Sequence, residues 1–269
     1  MKTILLIFAL IITSYSRLIG QDNELDKLDF NEQDYSQFIE ETQNYVVFGG
    51  GIIVNVKNIT YDELNNLINK TNFGHNDENF KFSGMFYQFG AQGLFTIGLI
   101  PNVRIGILGI GGISSPDNPL KFKQGDINIE RNIELHSNYT AINIDYAFVP
   151  FRDFKLSVLF GVNLGFGNLE LKMYQASDNF SYNDLKAQSD TYNYYYDLSS
   201  SYWHLEPMIY FEYAPTVVSL FRMSVGYSYG IYSDWNLNNS QQIAKDVPSG
   251  LNVNGLNVQF GIFFGLFNY

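Results

Sequence analysis

Apolar and polar residues alternate with a period of two along most of this chain, the signature of extended backbone with a different medium on each side. Between Thr140 and Phe148 one row is Thr140, Ile142, Ile144, Tyr146 and Phe148, and the other is Ala141, Asn143, Asp145 and Ala147. From Leu156 to Gly167 the rows are Leu156, Val158, Phe160, Val162, Leu164 and Phe166 against Ser157, Leu159, Gly161, Asn163, Gly165 and Gly167. In each pair the first row suits lipid and the second a narrow lumen. The same split recurs in Tyr45 to Lys57, Met85 to Leu99, Val103 to Ile107, Ile209 to Tyr213, Phe221 to Tyr229 and Val258 to Leu266. Eight strands are predicted, with both ends on the same side.

The connections sort as a membrane would sort them. Pro101-Asn102, Pro150 to Asp153 and Ala214 to Thr216 read as tight turns, whereas Asn58 to Gly84, Ser114 to Ser137, Gln175 to Ser200 and Ser233 to Leu251 are long. Strict alternation of short and long connections is expected of a barrel threaded through one bilayer, with short turns on the periplasmic side and long loops outside. The predicted fold class is therefore all-β, a closed antiparallel transmembrane β-barrel of eight strands with long extracellular loops. Ten strands is the alternative count if Asp126 to Leu135 pairs as its own hairpin arm. In the first long loop Leu64, Leu67 and Ile68 stand at helical spacing after Thr60, which predicts a short helix capped by that threonine.

Two neighbouring strands invert their rows without losing the period. Before Thr140 the even positions turn polar (Asn128, Glu130, Asn132, Glu134) and Ile127, Ile129, Ile133 and Leu135 take the odd row. Past Gly167, Glu170 and Lys172 point outward while Leu169, Leu171 and Met173 point inward. Such an inversion marks the height at which lipid gives way to water, and the lipid-facing stretch below it is close to the roughly 9–11 residues a tilted strand needs. The inward apolar set above the inversion implies a dry plug or pocket beneath the loops. Aromatic residues collect at both predicted edges, as in an interfacial girdle: Phe148, Phe151, Phe154, Tyr213, Phe267 and Tyr269 near the turns, and Tyr139, Tyr174, Tyr202, Trp203, Tyr232 and Trp235 near the loops.

Composition narrows the setting. Lys2, the apolar run Ile4 to Ile12 and the more polar stretch to Gly20 read as a signal peptide over residues 1–20, too short in its apolar part to span a bilayer. Residues 21–44 form an acidic periplasmic segment, leaving 45–269 for the barrel. Zero cysteines exclude disulfides and thiolate metal sites. A net charge of -11 with 17% aromatic residues argues against nucleic-acid binding. Mean hydropathy of -0.09 fits a barrel, in which lipid-facing and lumen-facing rows cancel.

The last residues, Gly261-Ile262-Phe263-Phe264-Gly265-Leu266-Phe267-Asn268-Tyr269, alternate apolar positions up to a terminal aromatic. With them the chain resembles the small outer-membrane β-barrels of Gram-negative bacteria, of the OmpA/OmpX-like, porin-like type. The resemblance implies location in the cell outer membrane after export, contact with its lipids, and Phe267 and Tyr269 as a carboxy-terminal signal for the barrel-insertion machinery. Function in such barrels ranges over adhesion, membrane integrity, small pores and lipid-modifying enzymes.

Candidate chemistry lies in the lumen row: Lys57, Gln88, Gln92, Arg104, Asn143, Asp145, Lys155, Asn163, Glu206, Glu212, Arg222 and Gln259. Charges in a low-dielectric tube have to pair, and Arg104 with Asp145 and Arg222 with Glu212 are the expected partners. The central polar network is assigned to Gln88, Arg104, Asp145, Asn163, Glu212 and Arg222. For a lipid hydrolase the candidates are His136 beside Ser137, and His204 with Glu206 and Ser201, near the outer rim. Their spacing matches no hydrolase motif, and the expectation is that the chain is not an enzyme. His75, His136 and His204 fall on separate elements, so no metal and no cofactor are expected. The tyrosine-, asparagine- and serine-rich loop 175–200 is the candidate surface for an extracellular ligand. The reading favoured is a closed barrel with a structural or surface-interaction role. A lipocalin-like secreted or periplasmic barrel holding an apolar ligand is the alternative, and an outer-membrane lipid-modifying enzyme the third.

Overall fold

The computed structural model describes residues 46–268 apart from 72, 75, 76, 78, 99, 152–154, 179–192, 239–241, 246, 248 and 249. The signal peptide, the acidic segment, Phe154, Tyr269 and most of the loop 175–200 lie outside the described residues.

The strands are β1 (Val46–Ile59), β2 (Phe86–Thr96), β3 (Val103–Ser114), β4 (Leu120–Gln124), β5 (Ile127–Phe151), β6 (Leu156–Ser177), β7 (Tyr194–Thr216), β8 (Ser219–Tyr232), β9 (Asn236–Leu237) and β10 (Gly255–Asn268). One helix, α1, covers Asp62–Lys70. Neighbours pair antiparallel in the order β3, β2, β1, β10, β8, β7, β6, β5, and β5 pairs back onto β3. The ring therefore closes on eight strands. Closure is by β1 on β10, from Val46 opposite Asn268 to Ile59 opposite Gly255.

The strand count has a physical explanation on both sides. Asp126 to Leu135, the candidate extra arm, belongs to β5 from Ile127 onward, which runs 25 residues without interruption. Its hairpin partner is β4, outside the ring, turned by Gly125 at φ 65°. A positive φ at the first of two turn residues suits glycine and matches the twist of the flanking strands. The long connection expected from Ser114 to Ser137 is thus largely strand.

Side-chain direction obeys the alternation throughout the membrane-height part of the ring. Phe160 is 55% exposed on the outside while Asn163 and Asp145 are 0% and 1% exposed within. A lipocalin-like barrel would put the apolar row inside and the polar row out; the belt here does the reverse. Phe48, Phe89, Phe166, Trp203 and Phe264 are all well exposed on the outer face, where a soluble monomer rarely carries contiguous apolar surface. Each such side chain gains roughly 1.5–3 kcal/mol on leaving water for hydrocarbon, so the fold is that of a transmembrane β-barrel. No helix among the described residues is long and apolar enough to cross a membrane.

Above the belt, β5, β6 and β7 outrun the rest of the ring at 25, 22 and 23 residues, against 11 to 14 for the other five ring strands. Ten further residues add about 30 Å of strand. On the inner face of this tall wall sit Ile133, Leu135, Leu169 and Leu171, all buried. They belong to one core with Leu64 and Ile68 of α1 and with Phe80, Phe82 and Leu251 of the loops. An amphipathic helix and a wall whose rows have inverted supply each other with an apolar surface.

Several local expectations are corrected. The helix starts at Asp62 after Tyr61 and has no side-chain cap, so Thr60 does not cap it. The turn placed at Ala214 to Thr216 is one step later: β7 continues through Pro215, and Val217-Val218 forms the tip, steadied by Thr216 Oγ1 accepting from Val218 N at 3.3 Å. Lys155 is exposed in the turn at φ 54°, its ammonium donating to the Pro215 carbonyl at 3.2 Å, and is not in the lumen. Four girdle residues are buried instead of meeting lipid: Tyr139, Tyr202 and Phe267 in the tube and Trp235 in the crown.

Candidate functional site

Long polar side chains fill the middle of the tube because strand register stacks them. Arg104 of β3 lies opposite Asp145 of β5, Glu212 of β7 opposite Arg222 of β8, and Asn143, Asn163 and Glu206 form a row across β5, β6 and β7. Gly161 makes room for this, since a Cβ there would run into the Asp145 carboxylate.

The ionic cluster is continuous. Arg104 donates to Asp145 Oδ2 from Nε at 3.1 Å and from Nη2 at 2.6 Å, and from Nη1 to both oxygens of Glu212 at 2.8 and 3.1 Å. Glu212 Oε1 also accepts from Arg222 Nε at 2.9 Å, and Arg222 Nη1 donates to Gln92 Oε1 at 2.8 Å. The Arg222 guanidinium lies over Phe263, 4.3 Å from its ring centre, and faces Tyr210 at 5.0 Å. Asn143 Nδ2 links Asp145 Oδ1, Asn163 Oδ1 and the Tyr210 hydroxyl at 2.7 to 2.8 Å.

A second centre surrounds Glu206. Its Oε2 accepts from Asn163 Nδ2 at 2.6 Å and from the Tyr139 hydroxyl at 3.4 Å, and its Oε1 from Ser228 Oγ at 3.1 Å and from Asn257. Lys57 Nζ donates to the same Ser228 oxygen at 2.9 Å. Three cations, Lys57, Arg104 and Arg222, thus share the tube with three carboxylates, Asp145, Glu206 and Glu212, all almost wholly buried. Ions removed from water cost several kcal/mol each unless their partners are close and hydrogen-bonded; the two arginines meet that requirement directly on Asp145 and Glu212, and Lys57 is linked to Glu206 through Ser228.

Of the six residues assigned to the central network, Arg104, Asp145, Asn163, Glu212 and Arg222 are joined through these bonds. Gln88 is buried apart from them and accepts from Asn55 Nδ2 at 3.0 Å. Tyr210, Ser228 and Asn257 are additional members that the sequence reading did not single out, and Tyr139 is one that it placed in the girdle. Their place in the lumen-facing row was the available signal.

Both ends of the tube are apolar. Val47, Leu94, Ala147, Leu220 and Phe267 lie within a few residues of the turn ends of their strands and are all buried. At the loop ends, Ile59, Phe86 and Val253 join the crown core.

The hydrolase candidates are not brought together. His136 points out of the wall, where its Nε2 meets Glu134 Oε2 at 2.8 Å, whereas Ser137 points inward with Oγ 3.1 Å from the Tyr202 hydroxyl. Adjacent strand residues face opposite sides, so neither can serve the other. His204 is buried, its ring stacked on Tyr139 at 4.0 Å, and its Nε2 lies 3.6 Å from Glu206, beyond hydrogen-bonding distance. Ser201 is exposed on the outer face, away from the buried His204. His75 lies outside the described residues, and among those described no cluster of histidine and carboxylate groups could hold a metal ion.

The outer face of the crown carries its own charges. Lys172 lies opposite both Glu134 and Asp197 and binds Glu170 at 2.9 Å. Asp197 is covered by the chain around Asn238, whose Oδ1 accepts from Asp197 N at 2.9 Å. Burial, and then the neighbouring Glu170 carboxylate, raise the Asp197 carboxyl above its ordinary pKa.

No family model and no curated protein matches this sequence. Among solved structures the chain is similar to Ail, the attachment invasion locus protein of Yersinia pestis, at 9% identity, covering 83% of this chain and 99% of that one with a TM-score of 0.32. It is similar to the outer membrane protein OprG from Pseudomonas aeruginosa at 14% identity, 84% and 94% coverage and a TM-score of 0.36. A major outer membrane protein from Thermus thermophilus gives 9% identity, 80% and 98% coverage and a TM-score of 0.36.

Proposed function

We propose that the protein is an outer-membrane barrel whose lumen is sealed and whose task is carried by the crown, as a structural element or a surface for interaction. The observation that supports this most is the order of layers along the tube: apolar at the turn end, ionic and charge-matched in the middle, apolar again under α1. An eight-stranded ring leaves room for side chains and little else, and here arginine, lysine and tyrosine occupy it. An ion crossing this tube would have to part Arg104 from two carboxylates and then pass a dry core.

In this reading residues 1–20 direct export, the lipid-facing row meets outer-membrane lipid, and the terminal strand with Phe267 and Tyr269 addresses the insertion machinery. Loop 175–200 adds to the outward surface. Nothing in the placement of His136, Ser137, His204 or Glu206 favours hydrolysis of lipid. The test is conductance across planar bilayers, with insertion verified by heat-modifiable migration in gels. Folded, inserted protein is expected to give no unitary current steps; steps whose size scales with salt concentration would refute the sealed lumen.

A further inference from the structure

On the inner side of the tall wall, where β6 and β7 rise past the end of α1, a cavity of about 440 Å³ opens beside the loop that follows β9. Its apolar lining is Leu67, Phe73, Met173, Tyr196, Leu198 and Val247. This volume falls in the range of small-molecule sites, roughly 300–1,000 Å³. Tyr194 also lines it, held edge-on to Phe73 at 6.5 Å and tilted against Tyr196 at 5.4 Å. The aromatic walls are thus braced by each other.

The polar groups at the cavity narrow what could enter. The Thr71 hydroxyl is already committed, donating to the Leu67 carbonyl at 2.7 Å. The remaining charged group is Lys245, exposed at the edge and in an ion pair with none of the described carboxylates. Lys245 is the charged residue among the described lining residues, and hydrocarbon and aromatic walls beside that cation are complementary to a ligand with an apolar body and one anionic end. The body gains by leaving water at about 25 cal/mol per Å² of buried apolar area, and the anion stays at the rim, where Lys245 meets it without full desolvation.

We propose that this cavity binds small amphipathic anions, meaning aromatic or aliphatic carboxylates, from the extracellular side. The proposal rests on the reading of the crown as the interacting part of the molecule, but binding and conductance are separate measurements, so each can fail alone.

The experiment is equilibrium dialysis of 2-naphthoate against the full-length folded protein in lipid nanodiscs, with empty nanodiscs as blank and the neutral 2-naphthylmethanol as comparison. Saturable binding at one site per barrel is expected, with the carboxylate preferred over the alcohol. Lys245→Gln is expected to weaken naphthoate about threefold to fivefold, the scale of an exposed ion pair, and to leave the alcohol unchanged. Met173→Trp and Val247→Trp each put an indole into the cavity, and either one that retains heat-modifiable migration should abolish binding of both compounds. Absence of saturable binding to the wild-type barrel, or undiminished binding to a folded filled variant, would overturn the proposal. Equal loss of both compounds in Lys245→Gln would overturn the role given to the charge.

Discussion

Two regions of one tube are filled in opposite ways. At membrane height the outward row is phenylalanine, isoleucine and valine and the inward row holds arginine, glutamate and asparagine; in the crown the same strands turn leucine and isoleucine inward and glutamate and lysine outward. The comparison teaches that period two fixes only that the rows differ. Which row faces the axis is decided by the medium outside, hydrocarbon below and water above. The belt is therefore filled by matched charge and hydrogen bonds, and the crown by apolar packing of the kind a soluble protein uses.

The two tryptophans allow each region to be followed by itself, because Trp203 stands 70% exposed on the lipid face and Trp235 is buried in the crown. Glu212→Gln should have the largest effect. It withdraws the carboxylate shared by Arg104 and Arg222 and leaves three cations against two anions, costing about 3–5 kcal/mol, the scale for breaking a buried pair. Urea unfolding in lipid vesicles, followed by Trp203 emission, should show the lowered midpoint. Adding Arg222→Met returns the tube to two against two and should recover part of the loss; a double variant no better than the single would refute charge matching as the filling rule.

Leu171→Ala comes next and should act on the crown alone. Truncation of a fully buried leucine costs about 2–5 kcal/mol, so Trp235 should report unfolding at lower urea and trypsin should cut sooner at Lys121 and Lys123. The Trp203 transition should stay where it was. A shift of both tryptophans together would mean that crown and belt unfold as one unit.

The smallest effect belongs to Asp197. Its folded pKa is raised, so the folded crown favours the protonated acid, and its contribution to stability falls as pH rises from the unfolded value through the folded one. Asp197→Asn should remove that fall, which begins in the ordinary carboxylate range and runs upward from it, making the variant crown the more stable at the upper end by Trp235 emission. A variant that lost stability at the upper end would show that the carboxylate is needed ionised.

The belt was legible because each strand carries its own two-row record, and a closed sheet needs little else to fix who faces lipid. The pairings Arg104 with Asp145 and Arg222 with Glu212 could be named because opposite charges in lumen rows have few places to go. That Arg104 also reaches Glu212 depends on the reach of a side chain across the tube, which strand order alone does not give. Tyr139, Tyr202 and Phe267 were misassigned for a simple reason: an aromatic near an interface resembles a girdle, although parity already put these three on the axis side. The crown was least legible. Its hairpin hangs on one glycine and its helix lacks a capping side chain; at the other end of the tube, the tip at Val217-Val218 uses two β-branched residues where turn chemistry favours others.

The pairing of Val46 with Asn268 sets an order of events for making this molecule. Every ring strand after the first can zip to the one before it as it emerges, but the first finds its second neighbour only when the last is in place. Until then the sheet is an open ribbon with two bare edges, both ready to accept a strand from anywhere. A chaperone or insertion partner that occupies those edges would stand in for the seam that the completed ring supplies to itself.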